Sequence, residues 1–147
     1  MPRIYRAMLL DGDRPQVARS KKALGVLFGA GPDDDIEADA EGNVHPAKGG
    51  MSVSPRLENL PMHRVPRRLG KKYPDRFPGA TGSNQFWCWW MGEGPFEAGR
   101  LAARLVLRPD PDMPKTHGFV EPDQKMGLVE YEDALAATRD QWRRWEE

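Results

Sequence analysis

Residues 49–68 read GGMSVSPRLENLPMHRVPRR, and the fold is organised around this stretch. The pair Gly49-Gly50 leads into the alternating run MSVS, which places the hydroxyls of Ser52 and Ser54 on one side of an extended strand. Prolines in the residues that follow keep the chain out of helix. Glycine lets the backbone approach a ligand closely, and serine hydroxyls form hydrogen bonds. The stretch therefore predicts the floor of a binding cleft.

Length and composition narrow the class of protein. The chain has 147 residues, which fits a single domain, residues 1–147. Its 22 basic and 22 acidic side chains cancel, so general nucleic-acid binding, which depends on neutralising phosphates, is disfavoured. The first residues lack the apolar core of a signal peptide, and the apolar run at residues 86–91 is too short to cross a bilayer. We expect no membrane partner and a cytoplasmic protein, or one delivered into a target cell without a signal peptide.

The positions of the charged residues, the cysteine and the histidines indicate which anion, metal or disulfide sites the chain can form. Residues 56–76 contain seven Lys or Arg, which fits either a solvated loop or a site for a phosphate-bearing ligand. Residues 33–41 contain six acids without the spacing of a calcium loop, so a solvated loop is predicted there. Cys88 is the single cysteine, and the three histidines share no metal-ligand spacing. We therefore predict no disulfide within the chain and no metal site.

Strand patterns predominate along the chain. Residues 3–10 alternate and end at the turn signal Asp-Gly-Asp, which predicts a first strand with Arg6 in its middle. This arginine faces either solvent at a sheet edge or a cleft. Further strands are predicted at residues 86–90, 105–108 and 116–120. Three tryptophans in the run FWCWW cannot share one face of a strand, so at least one of them faces solvent or a ligand.

The helical patterns complete the predicted fold. Residues 14–24 follow an N-cap aspartate and contain a proline in the first turn, which predicts a short helix, and residues 95–104 predict a second. Apolar positions recur at three- and four-residue steps through residues 128–145, which predicts one long C-terminal helix. Residues 70–85 are predicted to be a mobile loop. The predicted fold is α+β: a bent or split antiparallel sheet of about six strands, with this long helix and the short ones.

The order of the candidate functional residues resembles that of the ADP-ribosyltransferase superfamily. Many members carry an arginine or histidine on the first strand, a Ser-Thr-Ser-like motif on a middle strand and a glutamate late in the chain. Here Arg6 lies on the first predicted strand, and GGMSVS at residues 49–54 stands where the serine motif belongs. Residues 116–142, THGFVEPDQKMGLVEYEDALAATRDQW, are similar to the closing strand and helix of the ADP-ribosyltransferase-like type VI secretion toxins, the Tse-two family. Residues 70–104 show no such similarity.

The resemblance implies a substrate and a role for each residue. Cleavage of NAD at the nicotinamide–ribose bond develops positive charge on the ribose, and a carboxylate facing that charge stabilises it. By resemblance Glu121 has this role, and Arg6 holds a phosphate of NAD in a forked contact. Ser52 positions Glu121 or the nicotinamide ribose, with Ser54 in support. The aromatic residues implied in stacking on the nicotinamide are Tyr5 and Trp87.

The late-strand catalytic residue stays open between two candidates. Phe119 stands two residues before Glu121, where many protein-modifying members have a second acid or a glutamine. Glu121 also precedes a proline, which is typical of a residue at a strand end. His117, on the same predicted strand, is the alternative catalytic residue.

Three functions are compatible with the sequence. The first is an ADP-ribosyltransferase-like toxin that uses NAD as substrate and is normally neutralised by a protein antitoxin. The second is a non-catalytic interaction module that grips a partner with the tryptophan cluster and the basic loop. The third is an RNA- or nucleotide-binding protein that combines residues 56–76 with stacking tryptophans.

Overall fold

The computed structural model describes all of residues 1–147, and it shows a mixed α/β chain built on antiparallel ladders. The helices are α1 (Arg67–Lys72) and α2 (Leu128–Ala136), with 3-10 turns at Leu57–Asn59 and Arg139–Gln141. The strands are β1 (Ile4–Asp11), β2 (Arg14–Pro15), β3 (Asn43–Val44), β4 (Met51–Val53), β5 (Phe86–Met91), β6 (Gly99–Ala102), β7 (Leu105–Pro109), β8 (Gly118–Pro122), β9 (Met126–Gly127) and β10 (Arg143–Arg144). No helix has the length and apolar character needed to span a membrane.

Two four-stranded sheets meet at the middle of the molecule. The first has the strand order β10-β5-β1-β2 and the second β4-β8-β7-β6, while β3 and β9 form a separate pair. Tyr5 and Ser54 exchange two backbone hydrogen bonds of 2.8 and 3.0 Å, which links β1 to the residue directly after β4. The two sheets therefore form one curled surface, and the serine run lies beside the first strand.

Alternation along β1 separates two hydrophobic clusters. Ile4 and Met8 point into a cluster of 20 buried residues that also contains Trp89 and one face of α2. Tyr5, on the opposite face of β1, packs against a second cluster of six buried residues: Leu57, Leu60, Val65, Leu69, Phe77 and Cys88. The two clusters therefore lie on opposite faces of β1.

The predicted fold class is confirmed at the level of α+β with antiparallel strands. Six of the ten strands have three or more residues, in line with the expected number. The strands predicted at residues 3–10, 86–90 and 105–108 are β1, β5 and β7. The strand predicted at residues 116–120 begins two residues later, as β8.

The helix predicted at residues 14–24 is wrong. Gly12 adopts a φ of 66°, and the turn at this glycine folds the chain back so that Asp11 pairs with Arg14 and Leu10 with Pro15. The proline taken as a helix start therefore lies in β2. The turn signal that ended the first strand was a hairpin signal, since Asp-Gly is typical of tight antiparallel turns.

Three further predictions need correction. Residues 95–104 contain β6 rather than a helix, since Gly99, Arg100 and Ala102 pair with β7. The C-terminal helix ends at Ala136, and the chain continues through a 3-10 turn into β10. The predicted loop at residues 70–85 includes the end of α1 and the fully buried side chain of Phe77, so part of it belongs to the core.

Candidate functional site

A cleft of about 620 Å³ lies where the two sheets meet. Its walls are β1, β4 with the residue after it, residues 59–64, and the loop that leads into β8. Side chains from the acidic segment before β4 close one side. This volume lies within the range of about 300–1,000 Å³ that is usual for small-molecule sites.

Five of the seven side chains predicted to form the site line this cleft. They come from the first strand, the serine run and the start of the late strand: Tyr5, Arg6, Ser52, Ser54 and His117. Antiparallel pairing of β4 with β8 sets Ser52 opposite Phe119, and β8 continues from His117 at the edge of the cleft. Ser54 is buried, and its hydroxyl donates a 3.3 Å hydrogen bond to the carbonyl oxygen of Asn59.

The glycine pair that precedes β4 lies in close contact with two neighbouring backbone segments. Gly49 has a φ of 100°, and a Cβ at this position would collide with the carbonyl oxygen of Asp35. A Cβ at Gly50 would lie 2.5 Å from the carbonyl oxygen of Val120 on β8. Only glycine fits both positions without a shift of backbone, so the pair fixes the position of the serine run against β8.

Arg6 is a buried cation that the chain's own carbonyls surround. Its guanidinium donates to Ala23 at 2.9 and 3.1 Å, to Ser52 at 2.7 Å, to Lys21 at 3.1 Å and to Gly25 at 3.4 Å. Burial lowers the pKa of Arg6 to about 10, and Asp35 acts in the opposite direction, so the side chain is charged at neutral pH. Arg6 thus brings positive charge to the cleft wall, while its donors tie the loop before β3 to β4.

The acidic segment supplies two carboxylates to the cleft rather than a fully solvated loop. Asp33 and Asp35 both line it. The Asp35 carboxylate is 4% exposed; it lies 2.8 Å from the Lys21 ammonium and accepts the backbone N–H of Leu27 at 2.8 Å. The prediction of a solvated loop is therefore wrong for Asp35.

His117 is held by a carboxylate at the edge of the cleft. Its Nδ1 lies 2.8 Å from Oδ2 of Asp110, and its ring meets the edge of Phe119 at a centroid distance of 4.9 Å. The other carboxylate oxygen of Asp110 accepts the backbone N–H of Asp112 at 2.9 Å. The hydrogen bond with His117, followed by the one from Asp112, lowers the pKa of Asp110, which favours its carboxylate form.

Glu121 does not line the cleft. It lies on β8 with its side chain 5% exposed, 2.8 Å from the Nε of Arg108 and 3.2 Å from the backbone nitrogen of Ala47. Arg108 also stacks on Phe119 at 5.0 Å. The glutamate implied by the resemblance is thus engaged in a buried ion pair next to the site, and His117 is the late-strand candidate that faces the cleft.

Trp87 also lies away from the cleft. Its ring is covered by the guanidinium groups of Arg68 at 4.6 Å and Arg144 at 5.0 Å. Trp90 is covered in the same way by Arg3, directly before β1, and by Arg143 of β10. Trp89 is buried and donates its indole N–H to the carbonyl of Met8. Of the two aromatic residues that the resemblance implies in stacking, Tyr5 lines the cleft and Trp87 does not.

Sequence reasoning missed several residues of the cleft. Asn59 and Arg64 lie in the proline-rich stretch, and each holds one buried atom without a hydrogen-bond partner, Oδ1 and Nη1 respectively. Lys21 falls in the region that was predicted to be a helix. Asp110, the partner of His117, belongs to a Pro-Asp-Pro-Asp break that signals only a turn. The basic run did indicate Arg64, but nothing in its spacing distinguishes this arginine from its neighbours.

No protein-family model matches the chain, and no curated protein of established function matches it.

Proposed function

We propose that the protein is an ADP-ribosyltransferase-like toxin that binds NAD in the cleft and cleaves its nicotinamide–ribose bond. One observation carries the proposal: candidate residues from three distant parts of the sequence line one cavity, namely the first strand and the serine run implied by the resemblance and His117, the alternative late-strand residue. The curled arrangement of antiparallel strands supports an ADP-ribosyltransferase-like fold as part of the same proposal. A protein antitoxin that neutralises the chain in its producer belongs to the proposal as well.

Two guanidinium groups in the cleft, beside the carboxylates of Asp33 and Asp35, favour the pyrophosphate of a dinucleotide. Arg6 contributes a fixed positive charge, and Arg64 contributes a second guanidinium whose pKa is lowered by burial. Because backbone carbonyls already occupy most of the donors of Arg6, the forked contact to a phosphate that the resemblance implies is not available, and Arg6 contributes only its charge in this proposal. Tyr5 offers a ring for stacking, and Ser52 and Ser54 offer hydroxyls for the ribose.

The two atoms without partners fit the carboxamide of nicotinamide. Arg64 Nη1 is a donor and Asn59 Oδ1 is an acceptor, and neither has a partner within the chain. A buried polar group without a partner costs about 1–3 kcal/mol. A small rotation of each side chain toward the cleft would pair them with a group that carries both an acceptor and a donor. A carboxamide has this pair of functions, whereas a carboxylate has acceptors only.

Calorimetry with NAD and measurement of released nicotinamide test the proposal. We expect wild type to bind NAD, and Ser52→Ala to weaken binding about tenfold, the loss of about one hydrogen bond. Ser83→Ala, an exposed serine outside the cleft, is the matched control and should bind like wild type. Nicotinic acid should compete less well than nicotinamide. Absence of heat and of nicotinamide release with wild type would overturn the proposal.

Substitutions of the candidate catalytic groups then decide which residue acts. Asp35 is included because its carboxylate lines the cleft. Glu121→Gln and Asp35→Asn keep the side-chain shape and remove the carboxylate charge, and His117→Gln removes the imidazole. We expect His117→Gln and Asp35→Asn to slow nicotinamide release more than Glu121→Gln, because Glu121 is outside the cleft. Growth on expression provides the second readout: a variant that folds by circular dichroism and releases no nicotinamide should be tolerated by the host. If all three variants stay as toxic as wild type, the enzymatic mechanism is contradicted.

A further inference from the structure

We propose that Asp110 and His117 form a general-base dyad, in which His117, which lines the cleft, takes the proton of an attacking hydroxyl and Asp110, behind it, positions its ring. The inference rests on the proposed cleavage of NAD for its substrate. It adds the group that activates the nucleophile, together with a positioning residue that the resemblance does not supply.

The geometry assigns different tasks to the two ring nitrogens. Nδ1 of His117 faces the Asp110 carboxylate at 2.8 Å, so the proton of a neutral imidazole is placed on Nδ1. Nε2 is then left as the acceptor, and the residue lines the cleft. Asp110 is itself held by the N–H of Asp112, and its own N–H donates to the His117 carbonyl at 2.9 Å. Ring and carboxylate are thus fixed to one another through side chains and backbone.

The step that the dyad serves is a substitution at the ribose carbon. The bond between ribose C1′ and the nicotinamide nitrogen breaks, and its electron pair leaves with nicotinamide. The oxygen of water or of an acceptor alcohol forms the new bond to C1′. Its proton goes to Nε2 of His117, and the imidazolium that forms is stabilised by the carboxylate of Asp110. The overall reaction balances in atoms and charge: NAD and a hydroxyl compound give an ADP-ribosylated product, nicotinamide and one proton.

The chain contains a matched control for this dyad. His45 lies 2.8 Å from a carboxylate oxygen of Asp39, the same separation as in the pair of the cleft. The contact uses Nε2 of His45 instead of Nδ1, and neither residue lines the cleft. Substitutions at Asp39 therefore report the effect of removing a histidine–carboxylate contact without a functional role in the cleft.

The first test measures the position of the proton on His117 in the full chain without ligand. We expect nitrogen NMR shifts to show protonated Nδ1 and unprotonated Nε2 in wild type, and a shift of the proton to Nε2 in Asp110→Ala. Diethyl pyrocarbonate should acylate His117 several-fold more slowly in that variant, while Asp39→Ala should leave His117 unchanged. Asp110→Asn, which keeps the side-chain shape, gives a second variant if Asp110→Ala fails to fold. A proton on Nε2 of wild-type His117 overturns the dyad.

The second test measures turnover of NAD. We expect His117→Gln to lower kcat by about 100-fold or more, and Asp110→Asn, which favours the wrong tautomer of His117, to lower kcat by at least about tenfold with KM unchanged. Asp39→Asn should equal wild type. An unchanged kcat in Asp110→Asn overturns the positioning role. If wild type cleaves no NAD, the proposed function fails, and the dyad is then decided by the tautomer and acylation measurements alone.

Discussion

The most constrained residue is Arg6. A buried guanidinium with four carbonyl partners joins the loop at residues 21–25 to β4, and no carboxylate forms an ion pair with it. Such a cation is stable only while its partners stay in place, because a buried charge without hydrogen bonds is costly. Arg6 therefore acts first as a structural tie beneath the cleft and only second as a source of positive charge for a ligand.

Replacement of Arg6 should destabilise the whole fold. Arg6→Met removes the donors and leaves buried carbonyl oxygens without partners, for which we expect a loss of about 3–5 kcal/mol in the free energy of unfolding. Urea titration measures it. The control is Arg19→Met, because Arg19 forms only a solvent-exposed ion pair with Glu132, and exposed pairs contribute little to stability. Similar losses in the two variants would show that the carbonyl contacts of Arg6 contribute little.

Cys88 should be chemically inert in the folded protein. Burial raises the pKa of its thiol to about 12, with a smaller contribution from Glu147 in the same direction. Because the thiolate is the reactive form, the folded chain should react with Ellman's reagent at pH 8 far more slowly than the chain unfolded in guanidinium. Raising the pH increases the thiolate fraction, so the rate should rise with pH until the fold is lost. A fast reaction of the native protein at pH 8 would contradict this burial.

At the scale of elements, β4 depends on the glycine pair that precedes it. The strand is only three residues long, so its position against β8 is set by the passage of the chain at Gly49 and Gly50 rather than by extensive pairing. Tyr131 of α2 reinforces this position, because its hydroxyl accepts the N–H of Met51 and donates to the carbonyl of Val120. The serine run is thus fixed from both sides before any ligand binds.

Comparison of Gly49→Ala with Gly79→Ala should separate the energetic cost of a positive φ from the cost of a steric collision. Gly49 and Gly79 both have positive φ, but only Gly49 would direct a Cβ into a backbone oxygen, that of Asp35. We expect Gly79→Ala to cost about 1 kcal/mol and Gly49→Ala about 1–3 kcal/mol more, measured as thermal unfolding. Equal melting temperatures of the two variants would refute the close approach at Gly49.

Strand elements followed from the sequence more closely than helices did. β1, β5 and β7 were identified because a strand leaves a pattern within a few residues. The pattern is alternation when one face is buried and a short apolar run when both faces are buried. The helix predicted at residues 128–145 ends early because the later apolar residues serve other contacts. Trp142 enters the large cluster, whereas Trp145 packs with the small cluster beyond the sheet edge. Periodicity alone does not distinguish one face of a continuous helix from a non-helical C-terminal segment whose side chains pack into two different clusters.

At the scale of the whole molecule, the cleft is formed by residues that are remote in sequence. The order of residues in a known pattern indicated Arg6 and Ser52, which line the cleft, and Glu121, which does not; His117, the alternative late-strand residue, does line it. Asp110 was not predicted, and Arg64 was indicated only as one of seven basic residues, since their relation to the cleft depends on how two loops fold against the sheets. Contacts of this kind leave no local pattern in a sequence, and only the assembled fold reveals them.

The C-terminal segment should stabilise the small cluster selectively. Trp145 packs edge-on against Tyr73 at 6.0 Å and Phe77 at 5.9 Å. We expect Trp145→Ala to lower the free energy of unfolding by about 2–3 kcal/mol. Hydrogen exchange should accelerate at residues 67–82 more than in β7 and β8, which belong to the large cluster. Uniform acceleration across the chain would show that the two clusters behave as one unit.

The seam between the two clusters has a consequence for cooperativity. Tyr5 on the side of the small cluster and Ser52 beside the large one face the same cleft, so any occupant would bridge the two packing units. Without an occupant each cluster can unfold separately, whereas an occupant that contacts both clusters couples their unfolding. A calorimetric endotherm that is broad for the free chain should therefore sharpen as well as move to higher temperature when the cleft is saturated.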